Sequence, residues 1–290
     1  MTYYIVGKKT KEGTLASDSS AGVLSEYFEL GWEYVASHIY IKQLHADGGL
    51  SAEDVIVTLE DRMFLYQGFW KNVISNESFN CQKISSEDTV IDLCNIIENH
   101  REMFLPRLDA NGRYVHWDKM KNIISNIKYK DIRHLNTKSA YCCLHIRYRG
   151  WAAHRNISAD FWHNLIQEIL KTGTTVYVFG KEATEFANSR NVIHVSLEEY
   201  ASLLNNENCK FVVGGMSGGT LVAQTFAHIK CRQYVIISDE QTLREFNTNN
   251  QYSVFYHIPG MNFSEAPIHY VSLINNEMMT EYQLIQNIKQ

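Results

Sequence analysis

The feature that most constrains the fold is a rhythm between residues 139 and 238. Short apolar runs alternate there with segments of helical spacing. "SAYCCLHIRYR" (139–149) is apolar from Ala140 to Ile146 and then cationic. "SADFWHNLIQEILKTG" (158–173) spaces Phe161, Trp162, Leu165, Ile166, Ile169 and Leu170 as a helix does, with Ser158 placed to cap it and Gly173 to end it. "TTVYVF" (174–179) and "NVIHVS" (191–196) read as strands, "LEEYASLLNN" (197–206) as a helix. "KFVVGG" (210–215), "GGTLVAQTFAHI" (218–229) and "QYVIIS" (233–238) read as strand, helix and strand. Strands that are apolar throughout, each followed by a helix, imply a parallel sheet covered on both faces. The expectation is a Rossmann-like unit of about five strands.

The first half repeats the rhythm less cleanly. "TYYIV" (2–6), "HIYIK" (38–42), "DVIVTL" (54–59) and "NVIS" (72–75) read as strands. Residues 21–37 and roughly 88–104 read as helices, 105–138 as connection, and "NNEMMTEYQLIQNIK" near the end as a final helix. The fold class is α/β, with two Rossmann-like domains facing across a cleft near residues 105–138. The expected domains are 1–130 and 131–270, both Rossmann-like. Residues 271–290 form a C-terminal helix that packs back on the N-terminal domain.

Composition narrows the function classes. The chain has 290 residues, 45% of them hydrophobic, with ample apolar material for a core. A net charge of -5 disfavours a nucleic-acid partner. No run approaches the roughly 18 apolar residues that a membrane span needs. "MTYYIVGKKTKEG" lacks the pattern of a signal peptide. The six cysteines form no CxxC pair and no zinc-like spacing with histidine, so they read as reduced, buried thiols of a cytoplasmic protein. The expected metal and cofactor are none.

Ligands of parallel α/β sheets bind at the carboxyl ends of the strands. Three such ends carry chemistry. At the first, Arg147 and Arg149 leave the strand on the side of His145, and arginine forks match phosphate oxygens two at a time. His145 and His154 suit phosphate positioning or structure better than proton transfer. At the second, "VVGGMSGGTLVAQTF" (212–226) places Gly218 and Gly219 at a helix start, where backbone N–H groups and the helix dipole favour an anion. Ser217 and Thr220 can add hydroxyl donors. The same glycines also suit close packing alone. At the third, Lys181, Glu182 and Glu185 follow the strand in "VFGKEATEF", where a carboxylate suits a base or ribose hydroxyl and a solvated loop is the alternative. An arginine pair and an anion-binding turn in one sheet point to a diphosphate.

The strand ending in "HIRYRG", the strand "VYVFGKE" and the turn-helix "SGGTLVAQTF" together resemble the donor-binding half of GT-B glycosyltransferases. The pattern is similar to the fucosyltransferase-like superfamily, whose strand ends in HxR, here His145 and Arg147. The resemblance covers about 140–240. Tyr148 and Gly150 depart from the superfamily's continuation, which leaves a UDP-, GDP- or dTDP-sugar open as donor. The resemblance implies that Arg147 binds the donor diphosphate and stabilises the leaving group without a metal. The expected partners are a nucleotide-sugar donor and a glycan acceptor. An inverting transferase also needs a carboxylate to deprotonate the acceptor. In this architecture it comes from the first half, where Asp18 and Asp61 lead and Glu26 and Glu77 follow. Tyr66, Phe69 and Trp70 are either a stacking platform for the acceptor or core. The rivals are another transferase with a nucleotide or phosphorylated donor, such as a polysaccharide pyruvyl transferase, and a non-catalytic nucleotide- or glycan-binding module.

Overall fold

β-Branched and aromatic residues flank the start of the chain's first sheet. β1 (Thr2–Ile5), β2 (Val55–Thr58), β3 (Val73–Ser75) and β4 (Thr89–Asp92) pair in parallel in the order β3-β2-β1-β4. The computed structural model describes residues 1–8, 37–80, 84–99, 109–111, 113–148, 153–247, 262–275 and 278–289. The chain divides into two units, Met1–Tyr129 with Pro259–Phe263 and Lys130–Ile258 with Ser264–Gln290.

Among the described residues, five helices belong to the first unit: α1 (Ile39–Ala46), α2 (Phe64–Gln67), α3 (Asn76–Asn80), α4 (Leu93–Asn99) and α5 (Trp117–Ser125). Three differ from the sequence expectation. "HIYIK" opens α1 instead of forming a strand. Five residues are too few to separate the two periods, and His38, Ile41 and Lys42 are buried at helical spacing while Tyr40 is exposed. The expected helix from residue 88 begins as β4, because Thr89, Val90 and Ile91 pair with Thr2, Tyr3 and Tyr4 before α4 starts. The stretch read as connection contains α5, whose Met120, Ile123 and Ile124 are buried one turn apart. The helix expected over 21–37 lies, but for Ser37, outside the described residues.

The second unit follows the sequence closely. Six parallel strands, β5 (Tyr141–His145), β6 (Thr175–Phe179), β7 (Val192–His194), β8 (Cys209–Gly215), β9 (Arg232–Ile237) and β10 (Ile268–Ser272), take the order β10-β9-β8-β5-β6-β7. Its helices are α6 (Ala159–Leu170), α7 (Leu197–Leu204), α8 (Gly218–Phe226), α9 (Glu240–Asn247) and α10 (Glu281–Ile288). All five residues of β5 are buried. Cys142 and Leu144 face one side, into a core with Phe161, Trp162, Leu165, Ile166 and Ile169 of α6. Tyr141, Cys143 and His145 face the other.

Local chemistry sets the helix ends. Ser158 Oγ accepts from Phe161 N–H at 3.2 Å and starts α6. Ser196 and Glu199 form a capping box that starts α7. Gly173, at φ 79°, takes the left-handed conformation in the turn after α6. The closing helix α10, expected against the first domain, lies in the second unit. Its Leu284 and Ile288 join the α6 core, and Lys289 meets Glu168 of α6 at 2.6 Å.

Candidate functional site

In the second sheet β5 lies at the centre. The chain proceeds from it through β6 and β7 to one side and through β8, β9 and β10 to the other. The switch point therefore falls between β5 and β8, and the carboxyl ends of these neighbours leave the crevice where ligands of such sheets bind. His145 ends β5 and pairs with Phe179 on one side and Gly214 on the other. Its Nδ1 lies 2.8 Å from Ser217 Oγ.

Ser217 occupies the cap position of α8 with an extended backbone, but its hydroxyl makes no capping bond and is engaged with His145. Thr220 N–H and Leu221 N–H turn back to the Ser217 carbonyl at 3.1 and 3.3 Å. The N–H groups of Gly218 and Gly219, in the first turn of a nine-residue helix, have no acceptor within the helix. Helix starts of this kind favour anions in general. Thr220, a candidate hydroxyl donor, spends its hydroxyl on the Gly215 carbonyl.

Arg147, two residues beyond the end of β5, is only 6% exposed. Its Nη1 donates to Asn156 Oδ1 at 2.7 Å. The 3-10 turn Ala153–Arg155 just before Asn156 is held in turn by β9 and α9. The His154 carbonyl accepts from Ser238 Oγ at 2.8 Å and from Thr242 Oγ1 at 3.0 Å. The guanidinium thus sits among the carboxyl ends of the central strands, bonded within its own unit. Arg149 lies outside the described residues.

The third strand end is a 3-10 segment, Lys181–Phe186, that carries Glu182, half-buried, after β6. Gly180 introduces it at φ 128°, and a Cβ there would lie 2.1 Å from the Ile146 carbonyl oxygen. Only glycine fits, so the β6 end is locked against the residue that follows β5. His194 Nε2 lies 2.9 Å from the Gly180 carbonyl.

In the first unit, Asp18 and Glu26 lie outside the described residues. Asp61 follows β2 on a 3-10 turn, its side chain 66% exposed and 3.9 Å from Arg62 Nε. Glu77 is exposed on α3. Tyr66 is fully buried, with ring centroids 5.0 Å from His38 and 6.2 Å from Phe69. Trp70 Nε1 donates to the Asp54 carbonyl at 2.9 Å. This cluster packs α1 against α2, so Tyr66 belongs to core.

Sequence reasoning missed one charged pair. Lys8 Nζ and Asp92 Oδ2 meet at 2.6 Å, at the ends of β1 and β4, where the first sheet has its own switch point. Asp92 also accepts from Asn95 N–H at 3.0 Å. The signal that could have found it is "TVID", expected here as part of a helix: taken as a strand, it puts Asp92 at a carboxyl end.

The thiols stay protonated. Cys209 Sγ lies 3.9 Å from Cys143 and 3.7 Å from Cys231, and burial helps to hold all three above the ordinary thiol range. Among the described residues no group of three His, Cys, Asp or Glu side chains is placed to hold a metal ion. None of the described helices is long and apolar enough to cross a membrane.

No family model matches the chain, and no curated protein matches it. Among solved structures it is similar to a glycosyl transferase family 9 protein from Veillonella parvula DSM 2008, at 11% identity and a TM-score of 0.47, over 98% of this chain and 94% of that one. A likeness at that score bears on neither fold nor activity.

Proposed function

We propose that the second unit holds the nucleoside diphosphate of a sugar donor at its switch point, and that the chain is a metal-independent glycosyltransferase acting on a glycan hydroxyl. The observation that carries the diphosphate is the buried Arg147 two residues after His145, whose ring bonds Ser217 at the start of the Gly218–Gly219 turn at the switch point between β5 and β8. Sugar transfer itself rests on the resemblance of "HIRYRG", "VYVFGKE" and "SGGTLVAQTF" to GT-B donor domains.

The chemistry suits these groups. As the bond from the sugar to the diphosphate breaks, negative charge collects on the departing oxygens. First-turn N–H groups, the helix dipole and a fixed guanidinium stabilise that charge more than they stabilise the ground state. In this reading Glu182, beyond β6, binds a base or ribose hydroxyl, with Lys181 and Arg149 as further donor contacts. Asp61 or Asp18 takes the acceptor's proton. Buried free thiols suit a reducing compartment such as the cytoplasm.

A melting and calorimetric screen of UDP, GDP, dTDP and CMP tests this. At least one diphosphate should bind, and Arg147→Ala should lower its affinity tenfold or more, since a charge-assisted contact is worth roughly 1.5–3 kcal/mol. Arg147→Lys, which keeps the charge and loses the fork, should fall between. A protein that responds to no nucleotide, or a folded Arg147→Ala variant of unchanged affinity, would overturn the reading.

A further inference from the structure

The glycine at position 219 has a cause within the protein. Its backbone is not left-handed, so its conformation does not demand glycine. What excludes a side chain is space. A Cβ would lie 2.3 Å from His145 Cδ2, 2.5 Å from Cγ and 2.6 Å from Nε2. The imidazole therefore lies directly against the start of α8, and it is held there from both sides. Nδ1 is bonded to Ser217 Oγ at 2.8 Å. The ring packs on Phe179 at 5.4 Å between centroids, and Phe179 stacks on Tyr200 at 4.6 Å and 17°. The Tyr200 hydroxyl then donates to the Gly219 carbonyl at 3.4 Å. Burial keeps that phenol protonated by pushing its pKa well up. The contacts close a ring that runs from β5 through β6 and α7 back to the turn before α8.

We infer that His145 is a strut, braced by Phe179 and Tyr200, which sets the Gly218 and Gly219 N–H groups at the height a diphosphate needs. The ligand in this statement rests on the proposed function. The strut itself rests on the geometry alone. His145, Phe179 and Tyr200 are then positioning residues for the anion-binding turn.

The test is a double-mutant cycle on Gly219→Ala and His145→Ala, read by melting and by calorimetry with UDP, GDP, UMP and GMP. Gly219→Ala should lower the melting temperature in the native background and have little effect once the imidazole is gone. Equal losses in both backgrounds would sink the strut, and this arm needs no ligand. In binding, Gly219→Ala should cost at least tenfold in diphosphate affinity in the native background and under twofold beside His145→Ala. Phe179→Leu, which leaves the turn's own sequence intact, covers the case in which His145→Ala binds too weakly to read. It should lower diphosphate affinity at least threefold while monophosphate affinity holds, a change of ratio that general destabilisation would not produce. An unchanged ratio overturns the positioning role. A wild-type protein that binds no nucleotide, with the melting cycle coupled as expected, would overturn the proposed ligand and leave the strut standing.

Discussion

The two sheets manage charge differently. At the second sheet's switch point the polar side chains are tied into the chain: His145 to Ser217, Arg147 to Asn156, Thr220 to Gly215. At the first sheet's switch point the ion pair Lys8–Asp92 joins the ends of β1 and β4, its side chains 27% and 33% exposed. The first unit's costly charge lies elsewhere, inside the helical layer. Lys42 is fully buried, its Nζ has no hydrogen-bond partner among the described residues, and it lies 5.9 Å from the centre of the Phe69 ring. Burial alone brings its pKa down to about 7, and the buried His38 beside it is pushed well below the usual histidine range. At a sheet's carboxyl edge the chain or water supplies partners. In a helical layer the group gives up its proton instead.

The largest expected effect tests how far the second unit depends on one core. Trp162→Ala removes the largest fully buried side chain and should cost about 3–5 kcal/mol in urea unfolding. A loss under about 1 kcal/mol would mean that α6 is not what secures the sheet.

Next comes the buried amine. Lys42→Met should stabilise the protein by about 2–4 kcal/mol at neutral pH, because a buried charge is exchanged for an apolar chain of similar size. Lysine has an ordinary pKa near 10.5 and Lys42 is held near 7, so the unfolded state binds the extra proton between these values. Wild-type stability should therefore rise with pH from about 7 to about 10.5, with the full penalty present below 7. The gain from Lys42→Met should shrink across the same window, and calorimetry at several pH values reads it. His38 adds an acid-side loss, as its lowered pKa makes the folded state resist protonation below the usual histidine range.

Gly180→Ala should cost about 1–3 kcal/mol, from φ 128° and from the approach to Ile146, and a crystal structure would show the end of β5 displaced. The smallest effect belongs to the exposed pair. Lys8→Met should cost no more than about 1 kcal/mol, and less in high salt. A larger loss would mean that the first switch point is braced as the second is.

What the sequence made legible follows from burial. The central strands of the second sheet are covered on both faces, so "YCCLH" and "FVVGG" are apolar without interruption and stand out. β10, at the sheet's edge, carries half-buried Ile268, His269 and Tyr270 and gave no such run. The described side chains of α9 are strongly polar, with Glu240, Gln241 and Arg244 exposed beside buried Thr242 and half-buried Leu243, and the helix passed unread. The short segments of the first unit fell below the length at which periods separate, hence "HIYIK" and "TVID". At the site, Ser217, Gly219 and His145 were legible as residue types at strand ends. That the imidazole itself excludes a Cβ at 219 was not, because 74 residues of chain separate two groups that the sheet order brings into contact.

The strand order also dictates when this crevice can exist. β5, β6 and β7 come from residues 141–194, and β8, β9 and β10 from residues 209–272. The first three pair in chain order, each with the strand before it, whereas β8 must return across the growing sheet to dock on the far side of β5. Such non-local pairing forms late because loop closure precedes its reward. His145 therefore waits in an unfinished edge until β8 arrives with Ser217. The crevice between the ends of β5 and β8 is thus completed only when the two separated segments of the chain have paired.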